Sequence, residues 1–586
     1  MHHRAIAIAV LAGLAGSAAA QFDQKATSGT TGGIATAYDV MSTESFDLTT
    51  PVVSSGLPSD PIFPFGGTFI NEFVGATRFY AEGYAGTGSN LAVVEGGVAS
   101  STHITTSGVS ERIGLAETGG GPVGLFETQH PTQTAFVAGG RETPGPSNIV
   151  TAGIAFDSDL WVAGLATVAP NSVSGSFSTN NLTQFRTFTA LGVTGSATGG
   201  ETADVITMSY GIPTNSGSAF FGDVIVDAVA EASGLVAVAA AGNDALNFGP
   251  GVFGSPAIGF NSISVGATET GIQDPFYDQR APFSSFGATA FFDRSTGTVI
   301  PGAYAAVDIV APGTDITAPF VNATSSPDSF TITAGTSFAA PTVAGGAALV
   351  VEAGRDLYGG NDRAIDGRVV KAVLMNSADK LAGWDNGQML DNGVITTFQS
   401  LDLAIGAGQM NLDQAFDQYT AGTTDVAGDG GGTVETIGWD YGQVTNGERV
   451  FYDVNTALAG GTDLTVTLTW FAEFELDVTP GQEFLADDRY ADLDLEVYAV
   501  DDLGQRTLLA QSTSAFNETE HLSFTLQEDT LISIAVFGFG EIWDFGADGT
   551  VTDFGLAWAG TAVPGVPTLA GLLGAGVLAT RRRRPA

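Results

Sequence analysis

The stretch Gly335-Thr336-Ser337-Phe338-Ala339-Ala340-Pro341, followed by small and apolar residues through 351, predicts the centre of the fold. A glycine turn places Ser337 at the mouth of a helix, where backbone N–H groups beside its hydroxyl can face a developing oxyanion. The helix is apolar on every face and contains Gly345-Gly346, which weakens a helix unless another segment packs closely against it. The stretch therefore predicts a buried central helix with a serine at its start. Similar turns also begin many helices that have no catalytic serine.

Composition limits the chemistry that this chain can carry. With 586 residues, 44% of them hydrophobic, the chain has room for two or three domains and a large core. The absence of cysteine excludes catalytic thiols, disulfides, zinc thiolates and iron–sulfur clusters. A formal net charge of −43 excludes the basic surface that nucleic-acid binding requires.

Residues 1–20 have the pattern of an export signal: Arg4 precedes an apolar run, and Ala18-Ala19-Ala20 precedes Gln21. His2 and His3 would leave with this segment, so His103, His130 and His521 are the remaining candidates for a general base. Residues 21–73 are rich in Gly, Ser, Thr and Pro. They fit a leader, a pro-segment or a surface arm, and the sequence does not choose among these.

From Val74 onward, short apolar runs alternate with helical patterns. Strands are predicted at 91–94, 205–211 and 235–241, and residues 223–232 have helical character. Short, continuously apolar strands that alternate with helices indicate an α/β fold with a mostly parallel sheet flanked by helices.

Three polar residues lie at the ends of these predicted elements. Glu95 follows the first strand and Asn243 follows the strand 235–241, where functional groups gather in open α/β sheets. His130 lies at a predicted helix start, before Pro131. Taken singly, each has an ordinary alternative: a turn acid, a routine turn asparagine and a structural histidine.

Together these segments resemble the subtilisin-like serine proteases (subtilases), over roughly Val74 to Ala415. The blocks that carry the resemblance, in chain order, are Ala240-Ala241-Gly242-Asn243, Ser255-Pro256-Ala257, residues 263–267, 283–287 and 308–313, Gly335–Pro341, and residues 370–375. The resemblance implies a subtilisin-like fold for the predicted catalytic domain, 74–420.

The resemblance also implies a role for each residue of the candidate site. Ser337 is the expected nucleophile, His130 the general base and then acid, Glu95 the triad acid and Asn243 a side-chain donor to the oxyanion. The expected substrate-binding residues are Met208, Ser209, Tyr210, Gly211, Ala241 and Gly242, against which an extended polypeptide substrate would pair. No cofactor is expected to be required for catalysis.

Two residue blocks depart from the family pattern. Subtilases normally carry aspartate where this chain has Glu95, and the histidine block usually reads His-Gly-Thr-His where this chain has His130-Pro131-Thr132-Gln133. The longer acid leaves an alternative open: a catalytically degenerate surface protein that acts in adhesion or matrix binding. A lipase or esterase is disfavoured because no Gly-x-Ser-x-Gly motif surrounds Ser337.

A linker is predicted at 421–433, followed by a β domain at 434–560. Apolar residues alternate with polar ones at 464–470, 493–497 and 522–526, which predicts an antiparallel β-sandwich. The segment resembles the jelly-roll domains appended to many subtilases. Asp492 and Asp494 are weak candidates for a structural calcium site, and the alternative is two solvated acids on an exposed face.

The end of the chain, 561–586, resembles a PEP-CTERM sorting tail. Val563-Pro564-Gly565-Val566-Pro567 precedes an apolar run and the cluster Arg581–Arg584, although the usual Pro-Glu-Pro is absent. The run is short for a permanent membrane span, so a transient membrane contact is expected. This resemblance implies export and sorting machinery as partners, and a location outside the cell or on the surface of a Gram-negative-type bacterium.

Overall fold

The computed structural model describes residues 67–114, 127–144, 150–164, 202–214, 221–269, 279–322, 324–423, 428–476, 485–546 and 549–562. The predicted export signal, residues 21–66 of the N-terminal segment, residues 424–427 of the linker and the tail from 563 onward lie outside these ranges.

The region predicted to be catalytic contains β1 Asn90–Glu95, β2 Glu111–Gly114, β3 Thr143–Pro144, β4 Val150–Thr151, β5 Asp159–Gly164, β6 Val205–Met208, β7 Ile212–Thr214, β8 Val236–Ala240, β9 Phe253–Ser255, β10 Ser262–Thr268, β11 Ala288–Asp293, β12 Thr298–Ala305, β13 Ile309–Pro312, β14 Ile316–Pro319, β15 Phe330–Thr333, β16 Met389–Asp391 and β17 Val394–Thr397. Its helices are α1 Gly67–Phe73, α2 Thr77–Ala81, α3 Gln129–Gly139, α4 Phe221–Ser233, α5 Ala245–Phe248, α6 Thr336–Leu357, α7 Gly367–Asn376 and α8 Leu412–Ala421, with a short 3₁₀ helix at Asp362–Ile365.

The centre of this region is a seven-stranded sheet in the order β13-β10-β8-β6-β1-β5-β2. Every neighbouring pair in it is parallel. The short strands are buried on both faces, which is why they are continuously apolar rather than alternating. The α/β expectation is therefore confirmed, and β1, β6 and β8 bring their carboxyl ends to one edge.

The helix α6 is the buried central helix that the sequence predicts. A Cβ atom on Gly345 would lie 2.5 Å from the Cβ of Ile154 and 2.7 Å from the carbonyl oxygen of Ala138, and one on Gly346 would lie 2.9 Å from a methyl of Leu412. These close approaches explain the two glycines. Within the described ranges, α6 is also the one helix long and apolar enough to span a bilayer, but 94% of its most apolar window is buried in the protein.

The second region contains β18 Gly432–Val434, β19 Ile437–Thr445, β20 Arg449–Val454, β21 Thr462–Trp470, β22 Glu473–Leu476, β23 Leu485–Val500, β24 Arg506–Ser512, β25 Thr519–Thr525, β26 Leu531–Asp544 and β27 Val551–Ala562. One sheet has the order β16-β17-β24-β23-β26-β20-β18, with β22 paired to β23, and the other has the order β19-β27-β21-β25. The predicted alternation holds, since Leu464, Val466, Leu468, Leu493 and Leu495 share one apolar core.

Most pairings in this region are antiparallel, but β17–β24 and β18–β20 are parallel. The strand β17 belongs to the range predicted as catalytic, yet it pairs with the second region. The jelly-roll arrangement stays a prediction.

The two regions share a buried core. Trp439, Tyr441 and Ala557 belong to the same apolar cluster as the central helix. The side chain of Asn261 also makes two hydrogen bonds of 2.8 Å with the backbone of Ala472, accepting from its N–H and donating to its carbonyl.

Candidate active site

Glu95 and His130 form a buried pair between β1 and α3. Glu95 is the last residue of β1, and its Oε2 lies 3.1 Å from Nδ1 of His130. Only 1% of Glu95 and 6% of His130 is exposed to solvent. A hydrogen bond from Nδ1–H to this carboxylate fixes the tautomer of the imidazole and leaves Nε2 as the atom that can accept a proton. The longer acid therefore reaches the histidine.

Ser337 is the second residue of α6, in its buried first turn. Its hydroxyl donates to the carbonyl oxygen of Ser209 at 3.4 Å, and its own carbonyl accepts a hydrogen bond of 2.9 Å from the Ser209 hydroxyl. Among the described residues, Nε2 of His130 has no hydrogen-bond partner. The expected bond between Ser337 and His130 is therefore not formed in this arrangement, as is common in active sites without substrate.

The side-chain amide of Asn243 is held in one orientation by Thr336. Its Oδ1 accepts from the backbone N–H of Thr336 at 3.0 Å and from the Thr336 hydroxyl at 3.1 Å. That hydroxyl in turn accepts from the N–H of Gly242 at 3.2 Å. Because a backbone N–H can only donate, the atom facing it must be the amide oxygen, so Nδ2 is turned the other way.

The space that Nδ2 faces lies in front of Gly335. A Cβ placed on Gly335, whose φ is 152°, would lie 3.4 Å from Nδ2 of Asn243 and 3.6 Å from the backbone nitrogen of Ser337. Two N–H donors therefore converge on a region kept open by a glycine. This arrangement can stabilise the oxyanion of a tetrahedral intermediate.

The predicted substrate-binding residues border this site. Met208 ends β6, and Ser209 contacts Ser337 directly. Ala241 and Gly242 join β8 to Asn243, and Gly242 has a φ of 119°. Tyr210 is buried, and its pKa is raised by burial and by the negative charges of Glu95 and Asp223.

The other two candidate histidines are structural. His103 bonds Thr105 Oγ1 through Nδ1 and the carbonyl oxygen of Ser329 through Nε2, both at 2.9 Å, and burial lowers its pKa. His521 is fully buried, with Nδ1 2.8 Å from Thr467 Oγ1, and burial lowers its pKa well below the usual range.

Asp492 and Asp494 are buried on β23, with 3% and 5% of their surface exposed, so the alternative of solvated acids is wrong. Within the part of the chain that the structure describes, no group of three or more His, Cys, Asp or Glu side chains is arranged to hold a metal ion. A structural calcium ion stays a prediction.

Two supporting residues were not identified from the sequence. Thr336 orients Asn243, and its place in Gly-Thr-Ser was the available signal. Gln133 replaces the second histidine of the usual block; it is buried and donates through Nε2 to the carbonyl oxygen of Pro319 at 3.0 Å. Its position one turn after His130 predicts an inward-facing side chain but not this partner.

The chain is similar to known proteins in the region that carries this site. Residues 99–399 match the family model described as the Subtilase family; the match includes His130, Asn243 and Ser337 and begins four residues after Glu95. Over 148 residues the chain is 35% identical to Subtilisin NAT of Bacillus subtilis subsp. natto, which covers 25% of this chain and 30% of the relative. Over 148 residues it is also 35% identical to a subtilisin of Bacillus pumilus, covering 42% of that protein. The chain thus spans less than half the length of these two relatives.

Proposed function

Because the chain belongs to the subtilase family, we propose that it is a serine endopeptidase that cleaves peptide bonds through an acyl-enzyme, using Ser337, His130, Glu95 and Asn243. The observation that carries the proposal is the buried contact of 3.1 Å between Glu95 Oε2 and His130 Nδ1, next to two N–H donors that converge beside Ser337. A serine hydroxyl is a poor nucleophile until a neutral imidazole accepts its proton, and this pair supplies that imidazole.

In the proposed first step, the Ser337 hydroxyl rotates from the Ser209 carbonyl toward His130. Its oxygen attacks the scissile carbonyl carbon while Nε2 of His130 takes the proton. The negative charge that develops on the carbonyl oxygen is stabilised by Nδ2 of Asn243 and by the N–H of Ser337. The Glu95 carboxylate stabilises the imidazolium that forms.

In the second half of the reaction, His130 gives the proton to the leaving amine and the peptide bond breaks. Water then attacks the acyl-enzyme with His130 again acting as base, which releases the acid product and restores Ser337. The segment 208–211 pairs with the backbone of an extended substrate, so unfolded chains and flexible loops are the expected substrates.

We further propose that the protein is exported and acts outside the cell or at its surface. The signal-like segment 1–20 and the tail 561–586 support this, and the tail would give transient membrane contact before sorting in a Gram-negative-type envelope. Export and sorting machinery are the proposed partners. Sequencing the N and C termini of the protein recovered from culture medium tests this proposal, since uncleaved ends would contradict it.

Labelling with a fluorophosphonate tests the catalytic proposal, because only an activated serine reacts with this probe. The protein should be labelled and should hydrolyse peptides, and Ser337→Ala should lose both activities while keeping its thermal unfolding transition. The matched control is Ser295→Ala, at an exposed turn serine that bonds Asp293. An intact but unlabelled wild-type protein would favour the non-catalytic surface protein instead.

A further inference from the structure

Three backbone segments meet beside Ser337 and form what we call the side-chain slot: Ser209–Ile212, Ala241–Asn243 and Phe253–Ser255. Ser255 pairs with Ile212, and the N–H of Gly254 donates to the carbonyl of Ala241 at 3.1 Å. Each segment contributes one glycine, Gly211, Gly242 or Gly254, and the first and third segments also contain the buried aromatic residues Tyr210 and Phe253.

The proposed reaction directs one substrate side chain into this slot. A peptide whose scissile carbonyl lies at Asn243 Nδ2, and whose preceding N–H faces the Ser209 carbonyl, lies between the first two segments. The side chain of the residue before the scissile bond then points toward the third segment, Phe253–Ser255. A group of the protein behind that segment would therefore contact this substrate side chain.

The first turn of α4 packs there, since Val224 belongs to the same apolar cluster as Ala241 and Phe253 of the slot. Asp223 is in the first turn of α4 and is completely buried. Among the described residues, neither of its carboxylate oxygens has a hydrogen bond of normal length. Its negative charge raises the pKa of Tyr210 in the first segment, and the Ser255 hydroxyl in the third segment lies near enough to lower the pKa of Asp223 itself.

Asp227, one turn further along α4, differs from Asp223 in the hydrogen bonds that its carboxylate accepts. Asp227 is equally buried, but its oxygens accept from the backbone N–H groups of Phe260 and Asn261 at 3.0 and 2.9 Å. It has a structural task, whereas Asp223 is a buried acid without a comparable partner. Burial and the charge of Asp227 raise the pKa of Asp223 well above its usual value, because an ionised carboxylate without a counter-charge is costly there.

We propose that Asp223 determines substrate specificity by receiving the cationic side chain of a lysine or arginine immediately before the scissile bond. This inference rests on the proposed peptidase function. The ammonium or guanidinium group supplies the counter-charge and the hydrogen-bond donors that the carboxyl lacks, while the long apolar stem lies along the three segments. A neutral side chain of similar length would leave the acid unpaired. A hydrogen bond to a charged group then gives a preference of about 10- to 100-fold.

The test compares peptides that differ only in the residue before the scissile bond: lysine, arginine, norleucine, phenylalanine and glutamate. The wild-type protein should show kcat/KM about 10- to 100-fold higher for lysine than for norleucine. Asp223→Asn should bring this ratio close to one, mainly by lowering turnover of the lysine peptide. Asp440→Asn is the matched control, because it removes a buried acid of the second region whose pKa is also raised by burial, and it should lower stability without changing the ratio.

A second measurement needs no variant and covers the case in which Asp223→Asn fails to fold. Benzamidine should inhibit the wild-type protein competitively and protect Ser337 from the fluorophosphonate, whereas neutral benzamide should not. Two results would overturn this inference but not the proposed peptidase function. One is an active protein that prefers phenylalanine or norleucine, and the other is an Asp223→Asn variant that keeps the lysine preference. A protein that neither reacts with the probe nor cleaves any peptide refutes the proposed function, and the inference with it.

Discussion

Replacing Glu95 by aspartate, the acid that subtilases usually carry, is expected to impair this protein. The present carboxylate lies 3.1 Å from Nδ1 of His130, slightly longer than is usual for a charge-assisted hydrogen bond. Aspartate is shorter by one C–C bond, so its oxygens would withdraw by up to about 1.5 Å. The strand that carries Glu95 is paired on both sides, to β5 and β6, and cannot follow without losing ladder hydrogen bonds.

The hydrogen bond to Nδ1 would then be lost, although a negative charge would remain nearby. Complete loss of the triad acid costs about 10⁴-fold in kcat, and we expect Glu95→Asp to cost less, about 10²-fold, because the charge is retained. Glu95→Gln, which keeps the length and loses the charge, should approach the full loss.

The assay is the initial rate of hydrolysis of a saturating peptide substrate, with the thermal unfolding temperature measured in parallel. Glu95→Asp should lower kcat and leave KM within a factor of about three, since the acid does not touch substrate. Equal or higher activity in Glu95→Asp, with an unchanged unfolding temperature, would show that the site is not built around the longer side chain and would refute this reasoning.

Two further results are expected. Asn243→Leu should lower kcat by about 10²- to 10³-fold with little change in KM, because the amide donates only to the oxyanion of the intermediate; a change confined to KM would contradict this role. Burial raises the pKa of Asp227 from 3.8 to about 7, so the folded protein keeps a proton that the unfolded chain loses above about pH 4. This group therefore lowers stability as the pH rises from about 4 to 7. The unfolding temperature of Asp227→Asn should fall less over that interval than that of the wild-type protein. Parallel pH profiles of the two proteins would contradict this role of Asp227.

The parallel sheet and the central helix could be predicted because their signals are local. Continuous apolar runs ending in turn residues predict β1, β6 and β8. The pair Gly345-Gly346 indicates that other segments pack closely against the central helix. The shared core of the two regions could not be predicted in this way. Trp439 and Tyr441 are ordinary strand residues in the sequence, and only the fold reveals that they share an apolar cluster with α6.

The members of the site were predicted together, through the resemblance to subtilases, but the contact between Glu95 and His130 was not. Glu95, His130, Asn243 and Ser337 each lie at a strand end or helix start, yet each alone had an ordinary alternative. Whether a longer acid reaches the histidine depends on the offset between β1 and α3, which no residue pattern encodes. The role of Thr336 depends likewise on the 3.0 Å approach of two segments 93 positions apart.

The core shared by the catalytic and β regions has a consequence for the way such a chain can diversify. Where two domains are joined only by a linker, recombination can replace one of them without disturbing the other. Here an exchanged C-terminal region would have to supply matching partners for Asn261 and for the aromatic side chains packed around Trp439. Substitutions on the two sides of this contact are therefore expected to accumulate in compensating pairs, and chimeras with the β regions of related proteins should fail unless both sides are transplanted together.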